Sequence, residues 1–269
     1  MNEQTNVPSQ SVVVDTPGWR QVRPRIPDTP QRRELERQRS VRELVFGIQD
    51  GILTTLGIAT GVGIAEGKNW FVVISGLLAL LSGALSMGVG SYLGGKAERE
   101  VVRATIDMEK AEMEANPHDE FAEQVAYYKL KGFSADEAHT IVTRLAQNPE
   151  IYLYEMMRDE FGIDPRIAEE GGVQAAVFMA ISFAVGALLP LLPYFFNWGG
   201  RVTLGTSLAL AVLGLFAVGF YAATLSNRSP WRKGLEIVLF GMAVFGISWL
   251  AGWFLPALFG HPGVTTLGG

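Results

Sequence analysis

Apolar and polar positions divide this chain into alternating blocks. Two long apolar runs, 44–65 and 70–94, precede a polar segment, 96–170, and three more apolar runs follow at 173–196, 202–225 and 235–259. Each run reaches the roughly 20 residues that a bilayer core demands of a helix. The pattern predicts an all-α membrane protein with five transmembrane helices and a helical domain inserted between the second and third. The expected blocks are an N-terminal arm (1–43), helices one and two (44–95), the insert (96–172), helices three to five (173–259) and a C-terminal tail (260–269). Pro8, Pro17, Pro24, Pro27 and Pro30 stand among polar residues with no periodic apolar face, so 1–31 is expected to be a disordered tail. No apolar core follows a basic start there, which argues against a cleavable signal peptide. Between 31 and 43, Arg32, Arg33, Arg37, Arg39 and Arg42 alternate with Glu34, Glu36 and Glu43. That pattern suits a charged helix on a membrane surface or a solvated helical lead-in.

Composition sharpens this picture. A chain of 269 residues with 48% hydrophobic residues and 31 glycines is too apolar for a soluble domain of its size. The absence of cysteine excludes disulfides and thiolate metal sites. The only histidines, His118, His139 and His261, are not at ligand spacing, so a metal here would be held by oxygen and thioether. The net charge of −5 averages unlike regions, since 18 of the 27 acidic residues lie in 96–170. Arg and Lys set the expected topology. The arm, Lys96, Arg99, Arg158, Arg166, Arg228, Arg232 and Lys233 fall on one side, and only Lys68 and Arg201 fall on the other. The N-terminus and the acidic insert are therefore expected in the cytoplasm and the C-terminus outside. No nucleic-acid partner is expected.

The chemistry concentrates in two places. In the insert, Glu109 and Glu112, and Glu120 and Glu123, stand three apart, and Met156 and Met157 precede Glu160. Residues so spaced are helical neighbours, and like charges there are destabilising unless something neutralises them; a divalent cation would. Carboxylate oxygen joined by thioether shifts preference toward softer first-row ions such as Fe2+, Mn2+ or Co2+. The plainer alternative is a solvated acidic face with Met156 and Met157 closing a small helical core. In the first span, Asp50 stands near the cytoplasmic end with Thr54 one turn on. A carboxylate in lipid costs on the order of 3 kcal/mol, so it should face a bundle interior, a polar path or a partner, or else lie high enough to snorkel or cap. The second span carries Ser82, Ser86, Gly90 and Gly94, each four apart, beside Met87. Such spacing lets helix backbones approach closely.

These residues carry a resemblance. Arg42 to Gly51 (Arg-Glu-Leu-Val-Phe-Gly-Ile-Gln-Asp-Gly), Gly57 and Gly61, then Ser82-Gly83-Ala84-Leu85-Ser86-Met87 with Gly90 and Tyr92, and later Ala184 to Pro193, resemble the first three helices of the vacuolar iron transporter family. The resemblance covers about 41–259. It implies a cytoplasmic metal-binding domain, a three-helix extension between helices two and three, whose ligands match Glu109, Glu112, Glu120, Glu123, Met156, Met157 and Glu160. It also implies a transport path through Asp50 and Met87, and a homodimer that exchanges Fe2+ for protons along its interface. One departure is Gly90-Ser91-Tyr92, where many members have Gly-Glu-Tyr.

The expected function is secondary transport of Fe2+, with Mn2+ or another divalent metal as the alternative cargo, out of the cytoplasm in exchange for protons, and not an enzymatic activity. No resident cofactor is expected; the partners are divalent metal ions, protons, the membrane and a second copy of the chain. No Gly-Lys-Ser/Thr nucleotide loop is present, so transport would not be ATP-driven. The alternatives are a metal sensor or scaffold without a path, or a ferritin-like metal protein, although the Glu-x-x-His pair of that class is absent. A multi-pass position in a prokaryotic plasma membrane is favoured over the vacuolar membrane, because no sorting segment is read in the tail.

Overall fold

Helix starts and stops follow from local chemistry. In the computed structural model, the described residues are 30–66, 68–169, 172–196, 198–225 and 229–259, the side chains of 30–40, 169 and 225 excepted. They form eight α-helices: α1 (Pro30–Glu66), α2 (Asn69–Ala115), α3 (Pro117–Leu130), α4 (Ala135–Ala146), α5 (Pro149–Asp159), α6 (Gly172–Leu191), α7 (Gly200–Leu225) and α8 (Pro230–Leu258). Two short 3-10 turns, Pro165–Glu169 and Leu192–Phe195, complete the described elements. Proline opens α3, α5 and α8 at a position whose N–H has no intrahelical partner anyway. Ser134 and Glu137 close a reciprocal capping box at the start of α4, and Asn148 accepts from the Ile151 N–H at the start of α5.

Five helices are long and apolar enough to cross a membrane: Val41–Glu66, Asn69–Ala115, Gly172–Phe195, Gly200–Thr224 and Pro230–Leu258. These include all five expected spans, with different ends. α1 runs without a break from Pro30, so the charged lead-in and the first span are one helix. α2 continues from its apolar half to Ala115, because Lys96 to Ala115 is rich in helix-forming Ala, Glu, Arg and Met and holds no proline before Pro117. The expected disordered stretch 1–31, apart from Pro30 and Gln31, and the tail 260–269 lie outside the described residues.

The chain divides into two units, one containing Lys96–Glu170 and the other containing Thr29–Gly95 and Gly171–Gly269. In the second unit, α1 packs against α6, α7 and α8. Ile52 and Leu56 of α1 pack with Ala211, Leu215 and Ile237, and Ala59 packs with Val72, Val73, Leu191 and Tyr194. The α1–α6 crossing brings backbones into contact: a Cβ on Gly51 would overlap the Phe183 carbonyl oxygen, and one on Gly186 would overlap that of Ile48. Close approach of this kind requires glycine on both helices. Pro190 and Pro193 tighten the end of α6 into the 3-10 turn, where the Ser207 hydroxyl donates to the Pro190 carbonyl at 2.6 Å.

In the first unit, the end of α2 packs with α3, α4 and α5 around Val102, Ile106, Met113, Val142, Tyr152, Leu153, Met156, Met157 and Ala168. Phe121, Val125 and Tyr128 of α3 pack on it from the side. Arg103 donates two hydrogen bonds, at 3.0 and 2.7 Å, to the Ala168 carbonyl, tying α2 to the 3-10 turn.

Candidate metal centre

The buried stripe of α2 in the first unit is Val102, Ile106, Glu109 and Met113. Spacings of four, three and four define one face of a helix, and three of these four residues are the apolar ones a core calls for. The fourth is a glutamate, 0% exposed. α3 repeats the device with Glu120 and Gln124 buried one turn apart, and α5 ends its buried face Tyr152, Met156 with half-buried Glu160 at its C-cap.

Folding therefore brings three carboxylates from three elements together. Glu109, Glu120 and Glu160 each offer an oxygen, and these oxygens lie within 4.8 Å of one another. Among the described residues this is the only grouping of three or more His, Cys, Asp and Glu able to share an ion. Neither Glu109 oxygen has a hydrogen-bond donor. Glu120 can share a bond with it only through a proton held between the two carboxyls, since ionised carboxylates only accept. Burial is the main cause that pushes the Glu109 carboxyl up to about 8, with Glu160, Glu120, Glu112 and Glu123 adding repulsion in that order. Burial first, then Glu123, Glu120 and Glu112, raises Glu160 to about 7, and burial also leads the upward shift of Glu120. A buried charge without a partner is among the most costly groups a fold can hold. The donor set fits a hard or borderline divalent ion, which would supply positive charge and occupy the empty acceptor sites.

The remaining expected ligands fall in different places. Glu112 and Glu123 are exposed, so each i,i+3 pair contributes one buried and one outer carboxylate. Met156 and Met157, 1% and 0% exposed, sit in the apolar core beside Met113. Three residues that the sequence reading passed over border the cluster: Met113, one turn beyond Glu109 on α2; Gln124, one turn beyond Glu120; and Tyr152, whose buried phenol is raised first by burial and then by Glu120 and Glu109. The spacing of the α2 stripe carried a signal for Glu109 and Met113. No local pattern marks the other two.

In the second unit, Asp50 is half-buried on α1, immediately before Gly51, and Thr54 is half-buried one turn on. Thr55 and Thr60 are fully buried. Met87 packs against Leu80, Phe183 and Ala187 with Ala84 and Ala184. That face of α2 also carries Gly83, abutting the Phe183 ring, and Gly88, against Ala176 and Ala180. The other small-residue row, Ser82, Ser86, Gly90 and Gly94, is exposed, and nothing lies within 4 Å of a Cβ built on Gly90 or Gly94.

Comparison with known proteins agrees with this architecture. A family model described as the VIT family matches residues 41–253, a span containing all five apolar helices up to Trp253 and the whole insert. The chain is 30% identical over 204 residues to "Vacuolar iron transporter 1" of Oryza sativa subsp. japonica, covering 75% of this chain and 79% of that one. It is 29% identical over 215 residues to "Vacuolar iron transporter 1" of Eucalyptus grandis, with 77% and 85% covered. The "Vacuolar iron transporter" of Plasmodium falciparum is 28% identical over 221 residues, with 79% and 81% covered. With five apolar helices, a carboxylate cluster in the insert between the second and third of them, and a family match across most of its length, this chain is a multi-pass membrane protein that belongs to the VIT family.

Proposed function

We propose that this protein carries divalent iron out of the cytoplasm, with Mn2+ as a second cargo, in exchange for protons. The observation that carries the reading is Glu109, a fully buried carboxylate without a donor, facing two more carboxylates. Relatives named as iron transporters supply the cargo class. In this reading the insert is a cytoplasmic domain that collects ions with Glu109, Glu120 and Glu160. Glu112 and Glu123 form an outer acidic ring, and Met156 and Met157 are the thioethers nearest in sequence to Glu160. Because Glu109 and Glu160 hold protons near neutral pH, an arriving ion displaces them, and affinity rises with pH.

The path across the bilayer uses Asp50 and Met87, an oxygen and a soft sulfur in the first two helices. A proton and a metal ion compete for the Asp50 carboxylate, which gives exchange a physical origin. The exposed row Ser82, Ser86, Gly90 and Gly94 supports a homodimer, since small residues at this spacing admit a second helix at close range. The distribution of Arg and Lys supports a cytoplasmic N-terminus and insert and an external C-terminus. Ser91, where the resemblance leads one to expect a glutamate, removes one carboxylate from that path and bears on ion preference.

Uptake into proteoliposomes under an imposed proton gradient, comparing Fe2+, Mn2+, Co2+ and Zn2+, tests the proposal. Wild-type protein should take up Fe2+ and Mn2+ in a pH-dependent manner, and folded Asp50→Asn should fall to background. Met87→Leu keeps the volume and removes the sulfur, so it should selectively slow the softer ions. Wild-type flux from folded Asp50→Asn would overturn the proposed path.

A further inference from the structure

Glu160 is the least buried of the three clustered carboxylates and stands at the C-cap of α5, where Glu123, Glu120 and Glu112 repel its charge. Something must hold it in. The preceding residue, Asp159, is the last of α5 and carries a negative charge at the negative end of that helix, an unfavourable place for a carboxylate. Two groups of α3, Gln124 midway along the helix and Lys131 at its C-cap, fix it there. Gln124 Nε2 donates to Asp159 Oδ2 at 2.8 Å, and Lys131 Nζ donates to both Asp159 oxygens at 2.6 Å. Gln124 is 1% exposed and stands one turn beyond Glu120; Lys131 is the C-cap of α3, with its ammonium 4.2 Å above the Tyr128 ring. Both oxygens of the Asp159 carboxylate are thus engaged. Its side chain is largely buried, so the attachment is a fixed point between α3 and α5.

We infer that Gln124, Asp159 and Lys131 form a clamp that positions the Glu160 carboxylate against Glu120 and Glu109 for divalent-metal binding. None of the three touches the metal. They act by pinning the end of α5 to the helix that bears Glu120, so that the three oxygens stay within ligand range while no ion holds them together. The inference rests on the proposed reading of the carboxylate cluster as a metal site.

Lys131→Met gives a test in which positioning and simple electrostatics predict opposite signs. Removing a positive charge near a cation site relieves Coulomb repulsion and by that alone strengthens binding, whereas loss of the clamp weakens it. Outer partners that orient ligands typically change metal affinity by about 10- to 100-fold. The measurement is Mn2+ titration calorimetry on the full-length protein in detergent, with thermal melting of the same samples. Wild type should bind; Glu109→Gln should lose binding; Lys131→Met and Asp159→Asn should bind at least about tenfold more weakly, and Lys131→Arg should recover most of the affinity. Lys131 is a surface residue, so its variants should keep the fold. Loss of binding in Glu109→Gln with wild-type or tighter binding in Lys131→Met overturns the clamp and leaves the site standing. Lower melting temperatures at unchanged affinity would reduce the clamp to a structural role, which also overturns it. Wild-type binding by Glu109→Gln overturns the metal reading and the clamp with it.

Discussion

The two units solve the problem of a helix core in opposite ways. In the membrane unit, core positions at the α1–α6 crossing are given to glycine, and backbone meets backbone with no side chain between. In the insert, a core position is given to Glu109, whose two oxygens, on a stripe otherwise made of Val102, Ile106 and Met113, have no hydrogen-bond partner. The first arrangement gives a fixed scaffold whose stability leaves no room for added atoms. The second leaves the fold short of a positive charge, which an ion can supply. The same α-helical chemistry thus serves rigidity in one region and ligand demand in the other.

The sharpest way to break this comparison is to add volume at the crossing. Gly51→Leu places a branched side chain against the Phe183 carbonyl, which cannot move without separating α1 from α6. Loss of monodisperse, folded protein is expected on purification in detergent, and a stable wild-type-like melt would refute the tight crossing.

In the insert the expectation is reversed, because removing the special residue should stabilise. At neutral pH without metal, Glu109→Met relieves a buried carboxyl shifted from 4.5 to about 8, a gain on the order of 3 kcal/mol. The methionine would fill a stripe that already ends in Met113. Thermal melting should rise for this variant and no longer respond to Mn2+. The wild type should show the corresponding pH dependence. Folding raises the Glu109 carboxyl, so the metal-free fold binds a proton that the unfolded chain has released above about pH 4.5. That stabilisation is present in full below about 4.5 and is lost as pH climbs through about 8, with Glu160, at about 7, acting in the same direction. Melting that improves from pH 5 to 8 without metal would contradict the assignment.

A smaller effect marks the part of the insert that does neither job. Ser134→Ala removes the capping box at the start of α4, where the Glu137 carboxylate accepts from both the Ser134 N–H and its hydroxyl. A loss of about 1 kcal/mol in stability is expected, with Mn2+ affinity unchanged. A change in affinity would tie α4 to the site.

The apolar spans were legible because length and hydropathy alone decide them, and the insert was legible as an acidic block between spans two and three. The C-terminal end of α2 was not. Lys96 to Ala115 changes polarity without changing conformation, so a boundary drawn from hydropathy falls inside a continuous helix. The carboxylates were legible as residues and less so as a constellation. Reading Glu109 with Glu112, and Glu120 with Glu123, groups neighbours along one helix, while folding joins one acid from each of α2, α3 and the end of α5. Met156 and Met157 lie four and three residues before Glu160 in the sequence, yet both are sealed within an apolar core. The contacts of Asp159 with Gln124 and Lys131 span 35 and 28 residues and leave no periodic trace.

The central claim is that the buried Glu109 carboxyl releases its proton to solvent when a divalent ion binds. It is tested most directly by titrating the full-length protein with Mn2+ at neutral pH in two buffers of different ionisation enthalpy, which counts the protons released on binding. Wild-type protein should bind with net proton release, because Glu109 and Glu160 stand at about 8 and about 7 before the ion arrives. Glu109→Gln should lose both the affinity and the release. Binding of equal strength in the two proteins, or binding by the wild type without proton release, would contradict the account.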